Sequence, residues 1–311
     1  MYYILFLHYS IAAFLVVVPA MCVAYVQGRA AQEALTGMDT QPKASSSLLG
    51  CMLIGSVLNE TAALLSVIMG GALLMMPAPI TANMVIAELG LAAVLGVPAA
   101  LVGFLSMYPH CASIQAIVRQ PFQSGKINYF LAFVLSMMQM SVILGLIVAF
   151  LMRFAISPAM DTTDALKLLA IGLTFGLSTI GPLLGMKRFT HTACSVLGYS
   201  PDAYGPLVSF ALISQALIET PILFALFIAL LIFFKFIVNP WAVLAAALAM
   251  SLSTFGPGIA SGMISSEACR SIGLYPERAS LFSYASVLAQ TLVDAAVVYG
   301  VIIAAALVIW A

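Results

Sequence analysis

Long apolar runs alternate with short polar segments along the whole chain. The runs lie at roughly 3–26, 47–77, 84–107, 127–152, 166–186, 205–238, 239–262 and 280–310. About 20 apolar residues suffice to cross the hydrocarbon core of a bilayer. Each run predicts a helix, because a helix satisfies its own backbone in lipid and the alternation typical of strands is missing. The pattern therefore predicts an all-α membrane protein with eight transmembrane helices.

A polar residue interrupts every second apolar run, each time eighteen residues after a proline. The pairs are Pro42 and Glu60, Pro121 and Gln139, Pro201 and Glu219, and Pro276 and Asp294. These polar positions are 79, 80 and 75 residues apart. Because so regular an internal repeat outweighs other fold assignments, we expect four tandem helical hairpins, at about 1–79, 80–160, 161–237 and 238–311.

Composition excludes a soluble globular domain. Of the 311 residues 63% are hydrophobic and 7% charged, whereas typical globular domains contain about 25% charged residues. Eleven basic and eleven acidic residues balance each other, so no nucleic-acid partner is expected. The five cysteines lack metal-binding or redox spacing and are expected to be buried thiols, so we predict neither a metal site nor a cofactor.

Basic residues are concentrated in the segments inside the hairpins, at about 27–47, 108–127, 187–204 and 263–279. Eight basic residues lie in these segments, and three others (Arg153, Lys167 and Lys235) lie towards the segments between hairpins. Loops rich in Lys and Arg remain in the cytoplasm. We therefore expect the loops within hairpins to be cytoplasmic and both termini to lie on the opposite side.

Small residues recur at near four-residue spacing in the first helix of the third and fourth hairpins. They are Gly172, Gly176, Gly181, Gly185, Gly256, Gly258, Ala260 and Gly262. Such spacing lets helix backbones approach closely in lipid. The first two hairpins have fewer glycines in these helices, so the repeats are not equivalent.

Three of the four polar positions are acidic. A charged side chain at the bilayer centre costs about 2.5–3.5 kcal/mol on insertion scales, so an intramembrane acid is a functional candidate. Glu60, Glu219 and Asp294 are therefore candidate ion carriers that treat one ion in the same way. Gln139 cannot release a proton, which makes the second hairpin a degenerate site. The alternative is that each acid makes only a structural hydrogen bond.

Several residues close to the acids could support them. Pro221 has no N–H and so frees the carbonyl of Leu217, one turn from Glu219, although it could equally mark a tolerated kink. Gln215 and Gln290 lie four residues before their acids and hence on the same helix face. The other candidates follow an acid in sequence: Thr61, Thr220 and Tyr299.

The polar segments also resemble a known family. The loop of the second hairpin, from Ala116 to Ile127, resembles the polar loop of subunit c of F-type ATP synthases through Arg119-Gln120-Pro121. Gln215 to Pro221, with Glu219-Thr220, resembles the ion-carrying helix of that subunit. Further matches are Gln27-Gly28-Arg29, Asn59-Glu60-Thr61, Gly256-Pro257-Gly258 and Gln290 to Asp294. The resemblance covers nearly the whole chain as four copies, although the hairpin that keeps Arg-Gln-Pro lacks the acid.

This resemblance implies a rotor subunit without catalytic activity, whose four hairpins form an arc of a closed ring. Implied partners are further copies of the chain, the stator subunit a with its arginine, membrane lipid, and central-stalk subunits that meet the loop at Arg119, Gln120 and Pro121. A carboxyl in such a ring is neutral when it faces lipid and ionised beside the stator arginine. Three acids in four hairpins would carry fewer ions per turn, which favours a pump or a synthase under high driving force.

The transported ion is expected to be the proton, with sodium as the alternative. In sodium-type members a glutamine fifteen residues before the loop proline is a ligand, and here that register holds Gln27, Ser106, Met186 and Ser261. A thioether is a poor ligand for a hard cation, so the four hairpins do not form uniform sodium sites.

Other functions remain as alternatives: a vacuolar-type ATPase proteolipid, a secondary transporter and a structural pore. Transporters combine dissimilar groups around one midplane site, whereas here the acids recur singly. The remaining polar residues are predicted to have no special role. His8, His110 and His191 are expected at interfaces or in loops, Glu88 near the outer end of the third helix, and Asp161 and Asp164 in a solvated loop.

Overall fold

The computed structural model describes residues 2–76 and 79–311. Within these residues eight helices are long and apolar enough to cross a membrane. They are α1 (Tyr2–Thr40), α2 (Pro42–Leu74), α3 (Ala82–Arg119), α4 (Pro121–Ala155), α5 (Thr162–Leu197), α6 (Pro201–Phe234), α7 (Pro240–Leu274) and α8 (Pro276–Trp310). The predicted all-α membrane fold is confirmed.

The loop prolines begin the even-numbered helices. Each opens a short 3-10 turn, at Pro42–Ala44, Pro121–Gln123, Pro201–Ala203 and Pro276–Arg278. Proline suits the first helical turn because its fixed φ matches the helix and its missing N–H would be unpaired there. Three helices are briefly interrupted inside their length, α3 at Ser106, α4 at Gln139 and α5 at Thr179.

The connections inside the hairpins are much shorter than the sequence predicts. They consist of single residues in three hairpins (Gln41, Gln120 and Tyr275) and of residues 198–200 in the third. Arg29, Lys187, Arg188 and Arg270 consequently lie inside helices, and the prediction that places them in loops is wrong. A helix of 36 residues is about 54 Å long, so it continues well past a hydrocarbon core of about 30 Å.

The helices form two layers. The odd-numbered helices contact one another in the order α1, α3, α5 and α7, and each even helix packs against the odd helix of its own hairpin. Helices α2, α4 and α6 also contact the next odd helix, so they lie in the grooves of the odd layer. The central α5 is the most buried helix, and the terminal α1 and α8 are the least.

Glycine allows two seams of the odd layer to close backbone against backbone. A Cβ added to Gly172 would collide with the carbonyl of Gly90 on α3, and one added to Gly185 would collide with that of Gly258 on α7. By contrast, Gly256 has no neighbour within 4 Å that a Cβ would meet. The α1–α3 seam is wider, since a Cβ on Gly96 would lie 3.2 Å from the side chain of Leu15.

A buried pair of titratable side chains joins α1 and α3. The Nδ1 atom of His8 lies 2.8 Å from Oε1 of Glu88, and the two residues are 3% and 0% exposed. His110 is also fully buried, with Nε2 3.3 Å from the carbonyl of Cys51 in space left by Gly55. Neither His8 nor His110 lies in a loop, and the sequence does not predict their burial, because the residues around them come from helices distant in sequence.

Three cationic side chains hold the helix ends that face away from the hairpin turns. Arg153 donates from Nε to the carbonyl of Ala72, at 3.0 Å. Lys167 donates to the carbonyl of Lys235, at 2.8 Å, and Lys235 in turn donates to the carbonyls of Val308 and Ile309. Basic side chains commonly satisfy the last carbonyls of a helix, which have no partner within it.

Candidate functional site

The four polar positions occupy one level along the even helices. Each even helix begins at its loop proline, so Glu60, Gln139, Glu219 and Asp294 all lie about 27 Å from that start. All four helices pack against the odd layer in the grooves or beside their own hairpin partner. Their surroundings nevertheless differ from one hairpin to the next.

Gln139 is bound to the preceding even helix. It is 6% exposed, and its Nε2 donates to the carbonyl of Leu58 on α2, at 3.0 Å. Its Oε1 is buried without a hydrogen-bond partner among the described residues. The carbonyl of Leu58 on α2, two residues before Glu60, therefore accepts a hydrogen bond from the degenerate position on α4, the next even helix.

Asp294 is enclosed between two helices. The residue is 9% exposed, and the hydroxyl of Ser261 on α7 donates to its Oδ1, at 3.4 Å. Ser261 occupies the register fifteen residues before the loop proline, which holds different residues in the four hairpins and does not predict a uniform ion site. The structure places this residue beside the predicted ion carrier Asp294.

Glu219 is partly buried on α6. Its Oε1 has no hydrogen-bond partner among the described residues. An isolated charge is strongly disfavoured in such surroundings, whereas a neutral carboxyl is tolerated far better. Whether the carboxyl of Glu219 is neutral or ionised would therefore depend on the charged groups that lie next to it.

Glu60 is exposed on α2. Its neighbour Asn59 is instead fully buried and bridges to α3, donating to the carbonyl of Gly103 at 3.1 Å and accepting from the hydroxyl of Ser106 at 2.7 Å. The sequence pattern predicts no separate role for Asn59, and the available signal is that a polar residue stands beside a predicted intramembrane acid.

Gln215 and Gln290 connect neighbouring even helices. Both are fully buried. The Nε2 of Gln215 donates to the carbonyl of Val134 on α4, at 3.1 Å, and the Nε2 of Gln290 donates to the hydroxyl of Ser214 on α6, at 3.2 Å. Each amide therefore bonds the preceding even helix, and in both the Oε1 atom has no partner among the described residues.

The other candidate supporting residues differ from one another in hydrogen-bond partners and in burial. The hydroxyls of Thr61 and Thr220 donate to carbonyls of their own helices, those of Leu58 and Ala216, and Tyr299 is highly exposed. The Nε2 of Gln27 lies 3.5 Å from the carbonyl of Ser56. The remaining two lie inside α6, where Pro221 is buried and Leu217 is half-buried.

The three loop residues of the second hairpin lie at its turn. Arg119 is the exposed last residue of α3, Gln120 is the connecting residue and Pro121 begins the 3-10 turn. No group of three or more His, Cys, Asp and Glu residues in the described ranges could hold a metal ion.

Comparison with known proteins follows the hairpin organisation. No family model matches the chain. It is 32% identical over 142 residues to A-type ATP synthase subunit K of Methanocaldococcus jannaschii, which covers 44% of this chain and 59% of that protein. It is 35% identical over 71 residues to ATP synthase subunit c of Dehalococcoides mccartyi, which covers 23% of this chain and 93% of that subunit.

A further relative is ATP synthase subunit c of Synechococcus sp., 34% identical over 82 residues, covering 26% of this chain and 96% of that subunit. The matches to the two c subunits are each about as long as one hairpin and span nearly the whole of those relatives. The match to subunit K is twice as long and spans about three fifths of it. On this evidence the chain belongs to the ATP synthase subunit c family.

Proposed function

We propose that the chain is a rotor subunit of a membrane ATP synthase or ATPase, and that Glu60, Glu219 and Asp294 carry its ions. The observation that carries this proposal is the hydrogen bond from Gln139 to the carbonyl of Leu58. An amide N–H at that position imitates the O–H of a protonated carboxyl. The degenerate site is therefore held in the geometry that a loaded acid would adopt.

The same register supplies an acceptor for each acid. Leu58 lies two residues before Glu60, and the residues at that register on α4 and α6 are Met137 and Leu217. A protonated Glu219 would donate to the carbonyl of Met137. A protonated Asp294 would donate to the carbonyl of Leu217, which Pro221 deprives of its helical N–H partner. This assignment moves Leu217 from the Glu219 site, where the sequence places it, to the Asp294 site.

Glu60 would find its acceptor on another copy of the chain. Helix α2 is the first even helix among the described residues, and Glu60 on it is exposed. In a ring of several copies α2 would follow α8 of the neighbouring chain, whose residue at the acceptor register is Leu292. Such head-to-tail contacts close when the rotation between copies closes.

The ion proposed is the proton. At the register that would supply a sodium ligand, Ser261 contacts an acid, whereas Ser106 binds Asn59 and Met186 is buried. A sodium ion needs several oxygen ligands, because hard cations prefer oxygen and must replace their hydration shell. One hydroxyl at one of three acids favours protons. We further propose cytoplasmic hairpin turns that contact the central stalk, and a stator arginine that ionises each acid in passing.

Labelling with a hydrophobic carbodiimide tests the ion carriers. We expect covalent modification of Glu60, Glu219 and Asp294 and loss of ATP-driven transport in reconstituted vesicles. The exposed Glu277 near a hairpin turn is the matched control, because an ionised acid in water reacts poorly with this reagent. Unmodified intramembrane acids, or full transport after modification, would refute the proposal. Protection by sodium at constant pH would identify sodium as the ion instead.

The substitution Gln139→Glu is expected to create a fourth carrier. Its carboxyl would occupy a pocket that already offers the Leu58 carbonyl. Peptide mapping after labelling should then show four modified acids per chain, and ions moved per ATP should rise by about one third if each acid carries one proton. Gln139→Leu serves as the control and should remain at three. If the Gln139→Glu protein folds but only three acids per chain are labelled, the pocket of Gln139 does not have the geometry of a site that holds a protonated acid.

A further inference from the structure

A basic cavity lies on the face of the odd layer that carries no even helix. Its volume is about 600 Å³, and every lining residue belongs to α3, α5 or α7. The charged members are Lys187, Arg188, Arg270 and Glu267, with His191 beside them. On α5 the opposite face meets α6, where the rings of Phe189 and Phe210 pack at 6.2 Å. The cavity is therefore separate from the acids, which lie on the even helices.

Positive charge in the cavity is not neutralised within the described part of the chain. Arg270 lies 4.0 Å from Glu267, and both are exposed. Neither Lys187 nor Arg188 has a carboxylate partner among the described residues. The ammonium of Lys187 instead lies 3.9 Å from the ring centroid of Tyr108, a cation–π contact that leaves its charge uncompensated. The cavity is thus suited to an anion.

Apolar stripes lead from the cavity along the odd helices, away from the hairpin turns. On α7 the residues Leu248, Leu252, Phe255, Ile259 and Met263 follow one another at three- and four-residue steps towards Arg270, and all are exposed except the half-buried Ile259. On α5 the stripe at 173, 177, 180 and 184 ends at Lys187 and Arg188. A helical face with this spacing presents one continuous apolar surface. The face as a whole has an apolar part and a cationic end.

Aromatic side chains mark the boundary between the two parts. The ring of Tyr25 stacks on that of Phe104, at 5.9 Å, and Tyr108 packs beside His191. A second cavity of about 440 Å³ lies between α1 and α3 on the apolar part, with a lining that includes Leu7, Phe14 and Leu89. Tyrosine is enriched where hydrocarbon gives way to lipid headgroups.

We infer that this face binds an anionic phospholipid, with its phosphate held by Lys187, Arg188, Arg270 and His191. The hydroxyls of Thr192 and Ser266, which are 2.9 Å apart in the same cavity, supply further donors. The acyl chains lie along the stripes of α5 and α7.

The position of the cavity favours a lipid over a soluble anion or an acidic protein segment. Lys187 lies ten residues before the end of α5 at Leu197, which is about 15 Å along the helix axis from the turn. A partner docked at the turns could reach Arg270, four residues before the end of α7 at Leu274, but not the level of Lys187 and Arg188. A free phosphate would leave the adjoining stripes uncovered. The inference does not depend on which residues carry ions.

Binding of defined lipids to the purified, delipidated assembly tests the inference. The probes are mixed micelles of phosphatidylglycerol and phosphatidylcholine, with glycerol phosphate as the soluble headgroup, and retained lipid is counted by native mass spectrometry. The test variant is Lys187→Gln with Arg188→Gln and Arg270→Gln. The control, Lys43→Gln with Lys126→Gln and Arg278→Gln, removes the same charge from exposed positions near the hairpin turns.

We expect the unmodified protein and the control to retain phosphatidylglycerol in preference to phosphatidylcholine. The test variant should bind it roughly 100-fold more weakly, since each basic side chain near an anionic lipid contributes about 1 kcal/mol. If the triple variant does not assemble, Arg188→Gln alone should weaken binding about fivefold. Equal retention of both lipids, unchanged retention by the variant, competition by glycerol phosphate, or binding of an acidic stalk protein in place of lipid would each overturn the inference.

Discussion

Replacing Gly172 by alanine is expected to destabilise the protein, and replacing it by leucine should prevent stable assembly. The added Cβ would collide with the carbonyl of Gly90, so backbone meets backbone and no side-chain rotation can relieve the contact. Overpacking typically costs about 1–3 kcal/mol. Close approach of helix backbones also provides much of the attraction between helices in lipid, where apolar burial contributes little. The same result is expected for Gly185→Ala at the α5–α7 seam.

The measurement is the midpoint of thermal unfolding of the purified protein in detergent. Gly125→Ala is the matched control, because no described atom beyond the nearby backbone of its own helix lies within 4 Å of the position that its Cβ would take. Alanine is favoured over glycine in a helix by about 0.5–1 kcal/mol, so the control should be neutral or more stable. A Gly172→Ala protein as stable as this control would show that α3 and α5 lie farther apart at Gly172 than they do in the structure.

Removing one partner of the His8–Glu88 pair is expected to cost about 3–5 kcal/mol, the usual penalty for leaving one member of a buried pair alone. His8 and Glu88 are almost completely inaccessible and only 2.8 Å apart. The second carboxyl oxygen of Glu88 has no hydrogen-bond partner among the described residues, so the carboxyl group depends on the contact between its first oxygen and His8. Among the described residues the α1–α3 seam has none of the close backbone-to-backbone glycine contacts of the other two seams. Its side-chain hydrogen bonds include this buried pair and the exposed bond from Gln115 to Glu33.

A double-mutant cycle separates the pair from other effects of substitution. His8→Leu and Glu88→Leu are each expected to lower the free energy of unfolding, measured by denaturant titration in detergent micelles. The double variant should be less destabilised than the sum, because two apolar side chains leave no unpaired polar group. Glu277→Ala, at an exposed position, provides the control and should change stability little. Additive losses would show that His8 and Glu88 do not stabilise each other.

The number, type and order of the helices could be predicted from the sequence. Hydrophobic length and the recurrence of a proline before a polar residue are local properties, and each proline does begin an even helix. The small residues Gly172 and Gly185 were also identified, because close helix contacts in lipid require them whatever the partner. Helix ends were not predictable in the same way. Lys187 and Arg188 lower the hydropathy without ending α5, since a charged side chain on an exposed helix face leaves the backbone hydrogen bonds intact.

By itself, the sequence determined that one polar position recurs at one level in four hairpins, and that Gln139 differs from the acids at the other three. The tertiary structure decided what surrounds each position. Asp294 is enclosed and Glu60 is exposed, although both lie eighteen residues after a proline. The physical reason is that an even helix is covered by the helices beside it, and among the described residues no even helix comes before α2. The pairing of His8 with Glu88 and of Gln139 with Leu58 has the same origin, because contacts between residues about 80 positions apart arise only when the hairpins pack side by side.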